Sequence, residues 1–161
     1  MKTVLKDELF WVANSHDEII SISGYDSIKD LSEGLACVLK QSKYGYIDEN
    51  GEEVIPLIYD DAGDFIEGLT SVKLNGRLEL INKEGVTIKQ LDYDDVWNFH
   101  EGYAIVKSIN NFGFIDKKGE EIIPIKYNEA KDFDKEGIAY VKEGNKWYKI
   151  NKLGQELKKR Y

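Results

Sequence analysis

An all-β fold of tandem units, each about 34 residues long, is predicted by three observations. One phrase recurs as Glu33-Gly34-Leu35-Ala36, Glu67-Gly68-Leu69-Thr70, Glu101-Gly102-Tyr103-Ala104 and Glu136-Gly137-Ile138-Ala139, at steps of 34, 34 and 35 residues. A second series, Tyr25, Tyr59, Tyr93 and Tyr127, keeps a step of 34, and each Tyr is followed by Asp or Asn. Six residues beyond each of them stand Leu31, Phe65, Phe99 and Phe133. Finally, the segments between these anchors alternate in polarity, are rich in Val, Ile, Tyr and Phe, and are separated by Gly, Asn and Asp. That is the pattern of short strands and tight turns, and no window of a dozen residues carries a helical period.

The elements follow in order. Phe10-Trp11-Val12-Ala13-Asn14 reads as the first copy of a strand that returns as Tyr44-Gly45-Tyr46-Ile47-Asp48 and Leu78-Glu79-Leu80-Ile81-Asn82. It returns again as Phe112-Gly113-Phe114-Ile115-Asp116 and Trp147-Tyr148-Lys149-Ile150-Asn151. Gly51, Gly85, Gly119 and Gly154 close the turns that follow these strands; the first copy lacks its glycine. Asp48-Glu49-Asn50-Gly51 and Asp116-Lys117-Lys118-Gly119 are hairpin connections with Gly placed for a positive φ, and Asn75-Gly76 is the strongest two-residue hairpin signal. Pro56 and Pro124 end Val54-Ile55 and Ile122-Ile123, where a missing backbone donor does least harm.

Each unit is expected to supply about four short strands. The units span approximately 10–43, 44–77, 78–111 and 112–146, with a C-terminal cap at 147–161, in one domain covering 1–161. One unit cannot bury its own apolar face, so neighbours must share a core. A curved or superhelical array of antiparallel hairpins is expected, with a small propeller-like closure as the alternative. Tyr59, Phe65, Leu69, Val72, Tyr93, Phe99, Tyr127, Phe133 and Ile138 are the expected shared core. Trp147 and Ile150 are expected to cover the last unit, and Lys158-Lys159-Arg160 to form a solvated tail.

These residues resemble the bacterial WG repeat family, also called KWG repeats. The clearest unit joins Tyr44-Gly45-Tyr46-Ile47-Asp48, Gly51, Val54-Ile55-Pro56, Tyr59-Asp60-Asp61-Ala62, Phe65 and Glu67-Gly68-Leu69. The unit from Phe112-Gly113 to Glu136-Gly137 matches nearly as well. Between them Leu78-Glu79 replaces aromatic-Gly and Gln90 occupies the Pro slot, and no Trp is followed by Gly anywhere in the chain. The resemblance implies an interaction or scaffold module and no catalytic residues. Gly144-Asn145-Lys146-Trp147-Tyr148-Lys149-Ile150-Asn151 is also similar to a single choline- or glucan-binding wall repeat, which implies a carbohydrate- or cell-wall-binding module as the alternative function.

Composition narrows the function classes. The single Cys37 excludes an internal disulfide, and its place in the apolar run Leu35 to Leu39 predicts a buried, unreactive thiol. His16 and His100 stand at no metal-ligand spacing, and His100 is expected at an exposed turn. Asp60-Asp61 and Asp94-Asp95 recur with the Tyr-Asp phrase, so backbone hydrogen bonding is the expected role; calcium loops need a different spacing. There is no phosphate-cradling glycine motif and no nucleophile elbow. No cofactor, no metal and no enzymatic activity are expected. Charged residues at the N-terminus and the absence of a long apolar run predict a cytoplasmic protein without membrane attachment.

The net charge of −8 is unevenly spread: residues 1–76 carry −9 and residues 77–161 carry +1. From 44 to 72 there is no Lys or Arg, while Asp48, Glu49, Glu52, Glu53, Asp60, Asp61, Asp64 and Glu67 appear. Such a surface is a poor match for nucleic acid and a good one for a basic protein. These eight acids are the candidate partner-binding residues. The expected function is a non-enzymatic protein-interaction or scaffold module, in its sharpest form an acidic inhibitor or immunity-type protein covering a basic partner. The oligomeric state is not specified by the sequence.

Overall fold

The computed structural model describes residues 1–14, 16–21 and 23–158. Lys159 and Arg160 of the basic end lie outside the described residues, as does the end of the segment 147–161. Seventeen strands and no helix are found among the described residues. They form five small antiparallel sheets in which sequence neighbours pair. The first is the hairpin β1 (Lys2–Lys6) and β2 (Leu9–Ala13). The second holds β3 (Ser27–Ile28), β4 (Leu35–Lys40), β5 (Lys43–Asp48) and β6 (Glu53–Tyr59). The third holds β7 (Asp61–Ala62), β8 (Leu69–Leu74), β9 (Arg77–Asn82) and β10 (Thr87–Leu91). The fourth repeats this as β11 (Asp95–Val96), β12 (Tyr103–Ser108), β13 (Asn111–Asp116) and β14 (Glu121–Tyr127). The fifth has three strands, β15 (Glu129–Ala130), β16 (Ile138–Glu143) and β17 (Lys146–Asn151).

The period is that of the sequence, but its phase relative to the sheets is shifted. Each full sheet takes its first two strands from one sequence unit and its last two from the next. The phrase Glu33-Gly34-Leu35-Ala36 enters β4, which pairs with β5, the strand of Tyr44 to Asp48. Consecutive units are thus tied by a shared hydrogen-bonded hairpin as well as by packing. Residues 147–151 are likewise not a separate cap: they are β17, paired along its length with β16.

Sheets stack face to face, so their central strands are buried on both sides. Leu35, Cys37 and Tyr46 point into the core shared with Phe65, Val72 and Ile81 of the third sheet. Ala36, Val38 and Ile47 alternate with them and join Val12 and Tyr25 on the other side. Leu69 and Leu80 meet Phe99, Ala104 and Ile115, and Phe114 and Ile105 meet Phe133, Val141 and Ile150. The four clusters join neighbouring sheets only, so the array is open and the propeller-like closure is not formed. Of the expected core, Tyr59, Phe65, Leu69, Val72, Phe99, Tyr127 and Phe133 are buried, and Tyr93 packs against the core partly exposed. Ile138 does not join it. It occupies the slot of Leu35, Leu69 and Tyr103, which face the following sheet, and no described sheet follows it. Ile150 covers the preceding sheet as expected; Trp147, an odd number of residues away, points to the opposite face and is half-exposed.

The recurring residues are explained by this backbone. Glu33-Gly34, Glu67-Gly68 and Glu101-Gly102 are two-residue turns in which both φ angles are positive, near 52–55° for Glu and 84–88° for Gly. Glycine takes the second position without a Cβ penalty. Asp17, with φ 64°, takes the place that Gly51, Gly85, Gly119 and Gly154 fill in later copies. Asn14 Oδ1 accepts the N–H groups of His16 and Glu18 there, as Asp48 Oδ1 does from Asn50 and Glu52.

Candidate functional site

The eight acids of the segment 44–72 must be sorted by what the fold uses. Asp48 holds its own turn through the two bonds just described. Asp60 Oδ2 accepts the N–H of Gly76 at 3.0 Å, at the tip of the β8–β9 hairpin, and Lys43 pairs with its other oxygen. Both contacts hold the Asp60 carboxyl below the usual carboxylate range, Lys43 first. Asp26, Asp94 and Asn128 cap the hairpin tips of their own sheets in the same way, at Gln41, Ile109 and Gly144. The Tyr-Asp phrase is therefore a backbone device, as expected, and its hydrogen bond reaches across the sheet to a hairpin tip. Asp61 accepts the N–H of Ala62, and Asp64 lies 3.5 Å from Lys29.

Glu67 belongs to a clasp that runs from sheet to sheet. Its carboxylate accepts the N–H of Gly102 at 3.0 Å and pairs with Lys117 at 3.1 Å, while Lys117 Nζ also donates to the Glu67 carbonyl. Burial pushes this carboxyl up, but Lys117 and the Gly102 N–H outweigh it and hold the group below its ordinary value. Glu33 accepts from Gly68 in the same manner, and Lys83 and Lys152 donate to the carbonyls of Glu33 and Glu101. The lysine of this slot is thus demanded by the repeat wherever an earlier Glu-Gly turn exists to receive it. Glu49 holds the same slot in β5's turn, where no such turn precedes. The contrast between Glu49 and Lys117 follows from position in the stack.

What remains is Glu49, Glu52 and Glu53. All three are exposed, adjacent at the β5–β6 turn, and among the described residues their side chains have no hydrogen-bond or ion-pair partner. They stand at the opposite end of β6 from Asp60, roughly 20 Å away for seven extended residues. The acids that are contiguous in sequence are thus distributed over both ends of the sheets, and the free ones form a single small cluster.

The unit that departs from the pattern carries a compensated change. Gly45 and Gly113 lie where a Cβ would meet the carbonyl oxygens of Ile55 at 2.7 Å and Ile123 at 2.6 Å. Glu79 occupies that slot in the third sheet and is buried, with its carboxylate accepting from Thr87 Oγ1 at 2.9 Å and Gln90 Nε2 at 3.4 Å. Gln90 stands in the Pro slot, so the two irregular residues answer one another. Cys37 is buried, and burial pushes its thiol up to about 11, against the weaker pull of Lys29. His100 is exposed at its turn, 3.7 Å from Asp132.

The sequence alone did not single out Trp97 or Tyr140, and it set Trp147 in the segment similar to a wall repeat and expected it to cover the last unit. Trp97 and Trp147 are 42% and 44% exposed, and Tyr140 is 39% exposed. Their signal lay in slots that sister units fill differently: Trp97 stands where Gly63 and Lys131 do.

An open stack of small antiparallel sheets, with its recurring geometry held by turns and clasps, defines the class as a tandem β-repeat protein. The family model for the WG-containing repeat matches residues 14–44, 44–77, 80–111 and 112–147. The chain belongs to the WG-repeat family. No curated protein matches it in sequence. Among solved structures it is similar to the extracellular domain of a hybrid two component system from B. thetaiotaomicron, at 14% identity and a TM-score of 0.47. That match covers 89% of this chain and 24% of the other, so this chain spans about a quarter of that domain's length.

Proposed function

We propose that this protein is a non-enzymatic protein-interaction module that docks a basic partner at the β5–β6 turn. The observation that carries the reading is that Glu49, Glu52 and Glu53 are exposed and uncommitted while Asp48, Asp60, Asp64 and Glu67 serve the fold. Opposed charge at such a site speeds encounter and selects between partners more than it adds affinity. In its sharpest form the partner is a basic enzyme, such as a nuclease, whose active surface the acidic turn covers. Capture of partners on the immobilised protein, followed by the same capture with Glu49→Lys, Glu52→Lys and Glu53→Lys combined, tests this. Loss of a basic partner with an unchanged unfolding midpoint supports it. Retention of the same partners with the same salt dependence refutes it.

A further inference from the structure

The last sheet turns a face outward that every earlier full sheet buries. Tyr46, Leu80 and Phe114 fill one slot of that face and are buried to 0–1% exposure, whereas the corresponding Lys149 is exposed. A lysine there could be covered by a further sheet, or by a second copy of the chain, only by burying its charge. The face is therefore built to stay wet, yet it is strongly aromatic. Tyr140 and Trp147 flank a cavity of about 520 Å³ that Ile138, Leu157, Glu156 and Lys158 complete.

Cations stand over these rings. Lys131 Nζ is 5.3 Å from the centre of the Trp147 ring, and Lys149 Nζ is 5.3 Å from that of Tyr140. Neither lysine has an acidic partner among the described residues; Lys142, 5.9 Å from Trp147, is paired with Glu129. The arrangement recurs one sheet earlier, where Trp97 packs against Phe112 at 5.7 Å and Lys107 Nζ lies 5.9 Å from Phe112. Phe112 and Trp147 hold the same slot, as do Lys107 and Lys142, and stacked sheets lie about 10 Å apart. Aromatic–lysine pairs thus recur at roughly the spacing between sheets.

We propose that this face binds an anionic oligosaccharide, with sugar rings lying on Trp147 and Tyr140 and acid groups meeting Lys131 and Lys149. This goes beyond the acidic turn, which it neither needs nor excludes. Charge selects the occupant: Lys131 and Lys149 have no acidic partner among the described residues of a protein whose net charge is −8. An acidic peptide would seek a free strand edge, but the outer edge of β17 is already taken, since Asn151 donates to Gln155 and Leu157 donates to Lys149. A polyphosphate chain offers no ring to lie on Trp147 and Tyr140 and would leave both aromatic faces unused.

Oligogalacturonate of three to six residues, titrated into the full chain and followed by tryptophan fluorescence and calorimetry, tests this. Saturable binding that weakens with salt is expected, and Trp147→Ala should weaken it at least tenfold. Lys149→Glu should do likewise, with unchanged circular dichroism for both variants and an unchanged unfolding midpoint for Lys149→Glu, whose side chain is exposed. No saturable response to oligogalacturonate overturns the proposal. So does equal binding of neutral maltohexaose, or equal binding of polyglutamate or oligothymidylate, or indifference to both substitutions. Substituting Glu49, Glu52 and Glu53 should leave this binding intact, which separates its failure from that of the proposed function.

Discussion

Replacing Gly113 by Ala tests whether the glycine of the aromatic-Gly phrase is there for space. The φ of Gly113 is not positive, so the argument is purely steric. A Cβ at this position would lie 2.6 Å from Ile123 O and 2.9 Å from Ile125 N, both backbone atoms of β14 that no rotamer can move aside. An ordinary contact requires that strand to retreat by roughly 0.8 Å, and overpacking of this kind costs about 1–3 kcal/mol. For a chain of this size each kcal/mol lowers the midpoint by about 2–4 °C, so thermal unfolding should fall by roughly 2–12 °C. Thermal circular dichroism or calorimetry reads this directly. A midpoint within about 1 °C of the parent would show that β14 yields freely and that the glycine is not sterically required. The third sheet supplies the complementary experiment, since Glu79 fills the same slot by engaging Thr87 and Gln90. In a cycle of Glu79→Ala and Gln90→Ala, the double variant should be less destabilised than the sum of the singles, by about 0.5–3 kcal/mol. Strict additivity would refute the pairing.

Three further outcomes are expected. The folded-state pKa of Glu67 is depressed, so its stabilisation is complete above the ordinary value of 4.5 and disappears as pH falls through the folded value. The midpoint difference between parent and Glu67→Gln should accordingly be widest near neutral pH and close below pH 4.5; a difference independent of pH would count against the clasp. Cys37, buried with its thiol pushed up to about 11, should resist a thiol-specific reagent at pH 8 until denaturant is added, and rapid reaction of the native protein would contradict its burial. Deleting 147–161 removes β17 and Ile150 from the core shared with Phe114 and Phe133, so the truncated chain should lose solubility or unfold at lower temperature. A truncated chain as soluble and heat-stable as the parent would refute that contribution.

The period, the all-β character and the family were legible in the sequence because they rest on local chemistry repeated several times. A turn needing positive φ asks for Gly, a strand facing two cores asks for apolar residues on both of its faces, and each copy restates the demand. Tyr59, Phe65 and Phe133 were readable as core for the same reason. The candidate site was less legible, since charge in a sequence window carries no direction. Asp60 and Glu52 lie eight residues apart yet fall at opposite ends of one strand, and Asp60 is occupied by a hairpin tip sixteen residues away. Only the stacked structure shows that Lys83, Lys117 and Lys152 reach back about fifty residues to the Glu-Gly turns, because that distance is crossed between sheets and not along the chain. Glu49, first in its column, is released from that duty. Local chemistry, restated in each copy, settles which backbone is built and how often. Packing between sheets settles which charged and aromatic side chains the stack consumes and which of the described ones, such as Glu49 at its turn and Lys149 on β17, stay exposed. Face-to-face packing buries both sides of the second, third and fourth sheets, and in the fifth Lys149 stands where those sheets carry Tyr46, Leu80 and Phe114.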